Sequence, residues 1–308
     1  MPGIGVVLNP HSKRYKNDPE KLHRMGFIVG EKASLASTQN LTDIRRVAEE
    51  FKRKEIEILA LSGGDGTNHL TLTHFFEVYG DQPLPKIALL RGGTLNTVAY
   101  SCGIFGSPEK NLSNLIYKYH EDEPFETTEV DLMQINDKCG FIWGCGVISK
   151  FMEAYYKNGI PSPPQAAWIL MKSVGSALIN GPFASHMFEP MEAEVTVDGK
   201  KWEMNTYSAI FSGSIPYLGL GFKVFYLARK VKKFHAIGFC VKPRTVLPHV
   251  PLMFLGKPSG CPNHLEQATN EMVVKLAKPS GYTIDGDLYP PTDTFVIKTG
   301  PRLTIIVK

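Results

Sequence analysis

The residues best suited to chemistry form the run Ser62-Gly63-Gly64-Asp65-Gly66-Thr67, placed directly after the apolar segment Ile56 to Leu61 and before a helical pattern carrying Leu70, Phe75, Phe76 and Val78. Glycines at a strand-to-helix turn let the backbone approach a phosphate closely, and the helix N-terminus adds unpaired N–H donors and a favourable dipole. Gly63 to Thr67 are therefore candidate phosphate contacts. The run is neither a Walker A loop nor the dinucleotide fingerprint, since no Gly-Lys-Ser/Thr and no third spaced glycine follow. Taken alone, it is equally an ordinary glycine turn with Asp65 capping the helix. The arrangement occurs a second time, with Ile87 to Leu90 as a buried strand and Gly92-Gly93 opening a helix through Val98 and Ala99. Thr67, Thr94 and Asn96 offer hydroxyl and amide contacts to phosphate or nucleotide. Asn9 ends the first apolar run, where the ligand crevice of an open sheet belongs. For each of these the alternative is a turn or a cap.

Such residues need a wound sheet beneath them. From Gly3 to about Glu123, short apolar runs alternate with amphipathic segments, the pattern of a sheet wound with helices. Ile4 to Leu8 and Ile56 to Leu61 read as strands. Ile44, Val47, Ala48 and Phe51 recur at helical spacing behind Asn40 and Thr42 as caps, and the helix ends in Lys52-Arg53-Lys54, which suits its dipole. After Pro124 the pattern changes to alternating strands, beginning at Thr128 to Asn136 and continuing through Met272 to Leu276, Tyr282 to Ile284, Phe295 to Ile297 and Leu303 to Val307. Asp198-Gly199 reads as a two-residue hairpin. Helices are expected around Ser149 to Lys157 and Gln165 to Asn180. The expected domains are thus 1–124, α/β, and 125–308, mostly β, with the last strand free to return to the first. A chain of 308 residues suits two domains.

Composition narrows the function classes. A net charge of +4 is too small to argue nucleic-acid binding, though it is compatible with an anionic lipid or nucleotide. Five scattered cysteines with no CxxC pair suit a reducing compartment and read as buried small hydrophobes. The N-terminus lacks a basic leader and reads as a buried strand rather than a signal peptide. The longest uncharged stretch, Thr206 to Phe222, is broken by Ser, Gly and Pro and falls short of a membrane span, so any membrane contact is expected to be peripheral.

Several pieces then stand in a recognisable order. Asn9-Pro10-His11-Ser12, Gly63-Gly64-Asp65-Gly66-Thr67, Gly93-Thr94-Leu95-Asn96, Val130-Asp131-Leu132 with Phe141 to Gly146, and Asp285-Gly286-Asp287 together resemble the diacylglycerol kinase catalytic-domain superfamily. That superfamily carries Asn-Pro-x-Ser, Gly-Gly-Asp-Gly-Thr, Gly-Thr-Gly-Asn and a C-terminal Asp-Gly-Glu in the same order. The Gly-Gly-Asp-Gly-Thr match is specific and the others are individually loose. The resemblance implies an α/β nucleotide-binding domain, a β-sandwich domain, and transfer of the γ-phosphate of ATP to a lipid hydroxyl such as that of diacylglycerol or a sphingoid base. It implies Asp285 as general base, Asp65 as ligand to Mg²⁺, and nucleotide contacts from Asn9, Ser62 to Thr67, Gly93, Thr94 and Asn96. It also implies a cytoplasmic protein in peripheral contact with membranes, with a homodimer left open. On the residues alone, Asp285-Gly286 is a hairpin turn like Asp198-Gly199.

The sequence departs from the family pattern at several acids. Asn68-His69-Leu70 follows Thr67 where a Glu is common, Leu95 replaces a glycine, and Thr97 stands where the family has Asp. Lys232-Lys233-Phe234-His235 brings bases where many bacterial members have Asp-Gly, so a secondary, structural Mg²⁺ site is not expected in its usual form. His69, close to the signature loop, either touches phosphate or, the preferred reading, lies at the surface. Arg91 is read either as a phosphate donor or as half of a salt bridge. Phe222 to Lys233 interleaves aromatics with bases, suiting either an anionic membrane surface or a solvated strand edge. Val246 to Leu255 either lines an acyl-chain pocket or covers the β core. The rival functions are an NAD kinase-like enzyme, which shares the glycine signature, and a nucleotide- or lipid-binding module without catalysis.

Overall fold

The computed structural model describes residues 3–307 except 39, 158–161 and 229–231. The chain divides into two compact units, Met1–Val130 with Arg302–Lys308, and Asp131–Pro301. The division falls inside a strand rather than at Pro124.

The first unit is a parallel sheet wound with helices. In chain order its elements are β1 (Ile4–Leu8), α1 (Lys13–Lys16), α2 (Pro19–Val29), β2 (Ser34–Ser37), α3 (Leu41–Arg53), β3 (Ile58–Ser62), α4 (Asp65–Tyr79), β4 (Lys86–Leu89), α5 (Thr97–Ser101) and α6 (Pro108–His120). The sheet runs β2-β1-β3-β4, all parallel, and Ile305 and Ile306 add a further parallel pairing on Ile87 and Ala88. Every residue of β1 and β3 is buried, as continuous apolar runs of a two-sided parallel sheet must be. On one face Ile4, Val6 and Leu8 pack with Met25 and Val29 of α2 and Leu112, Leu115 and Ile116 of α6. Gly5 points the other way, where any Cβ would strike the Phe51 ring of α3, itself edge-on to Phe75 of α4 at 6.2 Å. Asn40 caps α3, accepting from the Asp43 amide at 2.9 Å.

The second unit is mostly antiparallel β. It opens in β5 (Thr127–Ile135) and continues through β6 (Lys138–Gly140), β7 (Ile142–Gly146), α7 (Val147–Lys157), α8 (Pro163–Leu178), α9 (Pro182–Met187), β8 (Met191–Val197), β9 (Lys200–Lys201), β10 (Thr206–Tyr207), β11 (Ala209–Gly213) and β12 (Phe234–Phe239). After the short helices α10 (Pro243–Val246) and α11 (Val250–Leu255) come β13 (His264–Thr269), β14 (Glu271–Ile284) and β15 (Asp287–Ile306). Strands β13, β12, β11 and β7 are antiparallel neighbours in that order. Strand β14 pairs with β8 through Met272–Leu276 and with β7 through Tyr282–Ile284, with register shifts between, so it belongs to both layers of a sandwich. Trp143, Val195, Ile210, Phe234, Val274 and Phe295 meet in one core, Trp143 lying 4.9 Å from Phe295 between ring centres. Fully burying each such side chain contributes about 1.5–3 kcal/mol.

Asp198 and Gly199, with φ +48 and +76, form the expected two-residue turn between β8 and β9. Residues 223–228 form no strand, the next strand beginning at Phe234, and residues 229–231 of the run lie outside those described. In the run Val246 to Leu255, α10 and α11 leave every residue half-buried or exposed. Their prolines break the run into pieces too short to lay down a continuous apolar face. No described helix is long and apolar enough to cross a membrane.

Candidate active site

The strand order 2-1-3-4, closed by the C-terminal residues, is the doubly wound order whose crevice opens between β1 and β3, beyond the carboxyl ends of the strands. Leu8 and Ser62 are register partners, so Asn9 and Gly63 leave the sheet side by side. The Asn9 amide donates to the Ser62 carbonyl at 3.1 Å, and its side-chain Nδ2 donates to Thr67 Oγ1 at 2.9 Å. Asn9 Oδ1 accepts from the His11 amide at 2.9 Å, which fixes the turn. The sequence thus brings the Asn-Pro-x-Ser turn and the glycine signature together through one side chain.

Gly64 caps α4 with extended backbone and Asp65 begins it. The N–H groups of that first turn have no carbonyl within the helix to bind. The glycines do more than open a path to phosphate. A Cβ on Gly93 would lie 2.2 Å from Gly64 Cα, and one on Gly92 would lie 2.9 Å from the Gly63 nitrogen. The two glycine pairs are packed backbone to backbone, which explains why the strand-glycine-helix arrangement occurs twice.

Ser62 is fully buried and shares a 2.5 Å hydrogen bond with the Tyr15 hydroxyl, whose pKa burial raises. Asn96, in the left-handed region at φ +51, accepts from the Gly93 amide and donates to the Gly93 carbonyl, both at 2.9 Å, and so closes its own loop. Asp65 reaches across to α5, its Oδ2 accepting from Thr97 N at 2.8 Å and its Oδ1 from Val98 N at 3.1 Å. Burial pushes this carboxyl above the usual carboxylate range against the pull of those amides. The carboxylate expected to face a cation is the N-terminal anchor of α5. Among the described residues no group of three or more His, Cys, Asp or Glu side chains is placed to hold a metal ion. A magnesium ion bound through one or two carboxylates and a nucleotide's phosphates needs no such group. A polar ligand fits this arrangement: the buried Ser12 hydroxyl and Asn68 Oδ1 have no protein partner.

His69 is fully buried, not at the surface. Helix α4 buries Asn68, His69, Thr71, Leu72, Thr73 and Phe75 around most of its circumference, so polar residues at its start gave no sign of an outer face. Arg91 makes no salt bridge among the described residues: its Nη1 donates to the Gly106 carbonyl at 3.2 Å and its guanidinium lies 5.9 Å from the Phe105 ring centre. Tyr15 went unnoticed, and Thr97 stood out only as a departure from the family pattern, because both partner positions distant in the chain.

Asp285 lies in the second unit. With φ +49, followed by Gly286 at φ +92, it makes the β14–β15 hairpin, Ile284 pairing with Asp287. Its Oδ1 accepts from the amides of Phe141 at 3.1 Å and Ile142 at 2.8 Å, and Oδ2 from Phe141 at 3.0 Å. Asp198 does the same at its own turn, accepting from the Thr269 hydroxyl at 2.6 Å and the amides of Asn270 and Glu271 at 3.0 and 3.1 Å.

Residues 3–129, which hold the whole loop system, match the family model of the diacylglycerol kinase catalytic domain. That match covers most of the first unit and less than half of the chain. Over 100 residues the chain is 32% identical to the probable lipid kinase YegS of Salmonella arizonae, and likewise to that of Salmonella heidelberg. Each match spans 32% of this chain and 31% of the relative, about a third of the relatives' length. A candidate diacylglycerol kinase of Bacillus anthracis superposes over 99% of this chain and 96% of its own, with a TM-score of 0.72 at 14% identity. A second such structure from that organism gives 0.70 at 15% identity, covering 99% and 97%. At these identities the superpositions establish the shared two-unit fold.

Proposed function

We propose that this protein is an ATP-dependent lipid kinase, transferring the γ-phosphate to the hydroxyl of a lipid such as diacylglycerol or a sphingoid base. The observation that carries the reading is the meeting of Asn9 with the Gly63–Thr67 loop at the β1/β3 crevice, where the first turn of α4 offers its amides. Asn9, Gly63, Gly64, Gly66 and Thr67 would cradle the phosphates, while Ser62, Gly93, Thr94 and Asn96 hold the loops in place. Phosphoryl transfer asks little covalent chemistry of a protein and much positioning. In the step itself the lipid hydroxyl oxygen bonds to the γ-phosphorus as the bond from that phosphorus to the β,γ-bridging oxygen breaks, ADP leaves, and the hydroxyl proton passes to the Asp285 carboxylate. A base in that role contributes about 10²–10⁴-fold. Asp65 acts as a positioning residue, tying the signature loop to α5. The protein is proposed to work in the cytoplasm at membrane surfaces.

A second reading, a nucleotide-binding module without turnover, is favoured by one observation: both Asp65 and Asp285 rest on backbone amides. Asp198 supplies the control. Transfer of label from γ-labelled ATP to a panel of lipid alcohols and to NAD, with and without Mg²⁺, is measured for wild type, Asp285→Asn and Asp198→Asn. The kinase reading expects a labelled lipid, with turnover lost in Asp285→Asn and kept in Asp198→Asn. Equal effects of the two substitutions would reduce Asp285 to a turn residue, label in NAD would name a different enzyme, and ATP binding without any labelled product would establish the module.

A further inference from the structure

Helix α8 buries Ala166, Ile169 and Ala177, and packs the first two with Tyr155 and Leu220. Its opposite face is also apolar. Trp168 is 62% exposed and Met171 60%, and Leu178 and the following Ile179 continue the stripe at 56% and 79%. A surface helix ordinarily turns charge outward, yet the only charged residue of α8 is Lys172. A further exposed apolar patch lies close by in the fold, because α8 touches α10, which leads through residues 247–249 into α11, whose Phe254 lies against Gly221 and Phe222. Phe254 and Leu255 are 50% and 61% exposed.

The charge around this surface is one-sided. Residues 154–188 and 204–265 contain no Asp or Glu and hold ten of the chain's 34 Lys and Arg. These two stretches therefore carry +10, while the remaining 24 cations against 30 acids leave −6 for the rest of the chain. The whole positive balance of the protein lies in the two stretches of sequence that contain α8 and α11. A second copy of this chain would bring like charge against like charge, which disfavours self-association through this face. Apolar aromatic tips set among cations, with no acid, suit instead the boundary between headgroups and acyl chains of an anionic bilayer. We infer that this face of α8 and α11 docks on an anionic lipid membrane, with Trp168, Met171, Leu178, Ile179, Phe254 and Leu255 entering the interface. The inference extends the lipid kinase reading by giving the substrate's own medium a landing surface, and it assigns the docking to a helix rather than to the basic run 222–233.

The test uses the full chain, no nucleotide, and phosphatidylcholine vesicles with or without phosphatidylserine, neither of which offers an alcohol for phosphorylation. Trp143 and Trp202 are 0% and 8% exposed, so a change in emission reports Trp168. Vesicles containing phosphatidylserine should shift Trp168 emission to the blue and allow quenching by brominated acyl chains. Co-sedimentation should fall about fivefold for each of Lys242→Gln and Lys257→Gln, and about tenfold or more in Trp168→Ser/Phe254→Ser, whose substituted side chains are exposed and leave the fold intact. No shift with anionic vesicles, equal binding to neutral ones, or a shift that instead follows concentration-dependent dimerisation without vesicles would overturn the proposal. Phosphoryl transfer to a detergent-dispersed lipid is a separate readout, so failure of docking and failure of the kinase reading give different results.

Discussion

Replacing Gly93 by alanine adds one methyl group where the Gly64 Cα lies 2.2 Å away. Ordinary van der Waals contact begins near 3.4 Å, so the two loops must separate by about 1.2 Å, and the obstacle is backbone, which has no rotamer to escape into. Overpacking of this kind costs about 1–3 kcal/mol. The same separation pulls at the Gly93–Asn96 turn and at the Asp65 anchor of α5, and a displacement of this size at the phosphate contacts is expected to lower ATP affinity about tenfold or more. Gly175 in α8 is the control. An added Cβ there meets nothing within 4 Å, so Gly175→Ala should stabilise by about 0.5–1 kcal/mol through helix propensity alone. All three tryptophans lie in the second unit, so urea unfolding followed by far-UV circular dichroism and by tryptophan emission separates the units. Gly93→Ala should lower the dichroism midpoint and leave the emission midpoint unchanged, while Gly175→Ala should raise the emission midpoint. A Gly93→Ala protein with unchanged stability and ATP affinity would refute the argument that these glycines exist for the loop-to-loop approach.

Asn9→Ala removes the bond to Thr67 and the one from the His11 amide, costing about 1–2 kcal/mol and roughly five- to thirtyfold in ATP affinity by calorimetry. Asn9→Asp, which cannot donate to Thr67, should behave alike, and near-wild-type affinity in both would remove Asn9 from the site. Acid should destabilise the second unit in two stages. Burial lowers His264 below its ordinary 6.5, so the unfolded chain takes up a proton that the folded chain resists, and stability present above pH 6.5 declines as pH falls below it. Burial alone would raise Glu266, but its bonds to His235 and Tyr226 outweigh that and lower it, so a further loss follows below about 4.5. His264→Gln should remove the first stage in urea midpoints measured against pH, and an unaltered profile would refute its assignment.

What could be read from the chain was whatever local pattern encodes. Continuous apolar runs announced β1, β3 and β4 because a parallel strand is buried on both faces, and the caps and charges of α3 agreed with its periodicity. Asp198-Gly199 announced its turn because both residues adopt positive φ, and so did Asp285-Gly286. The contacts of Asp65 with Thr97 and of Tyr15 with Ser62 join positions far apart in sequence, and only the folded sheet brings them together. His69 was misplaced because α4 is enclosed on most sides, which erases the contrast that amphipathic periodicity depends on. The exposed face of α8 escaped notice for the complementary reason: an apolar stripe reads as core whether or not anything covers it.

The most direct test of the account is hydrogen exchange with and without ATP. If the triphosphate sits beyond β1 and β3, ATP should slow exchange at the amides of Gly63 to Thr67, with smaller effects around Asn9 and Gly93, and Asn9→Ala should weaken that protection in step with affinity. Saturating ATP that leaves residues 63–67 unprotected, or protects another region alone, would contradict it.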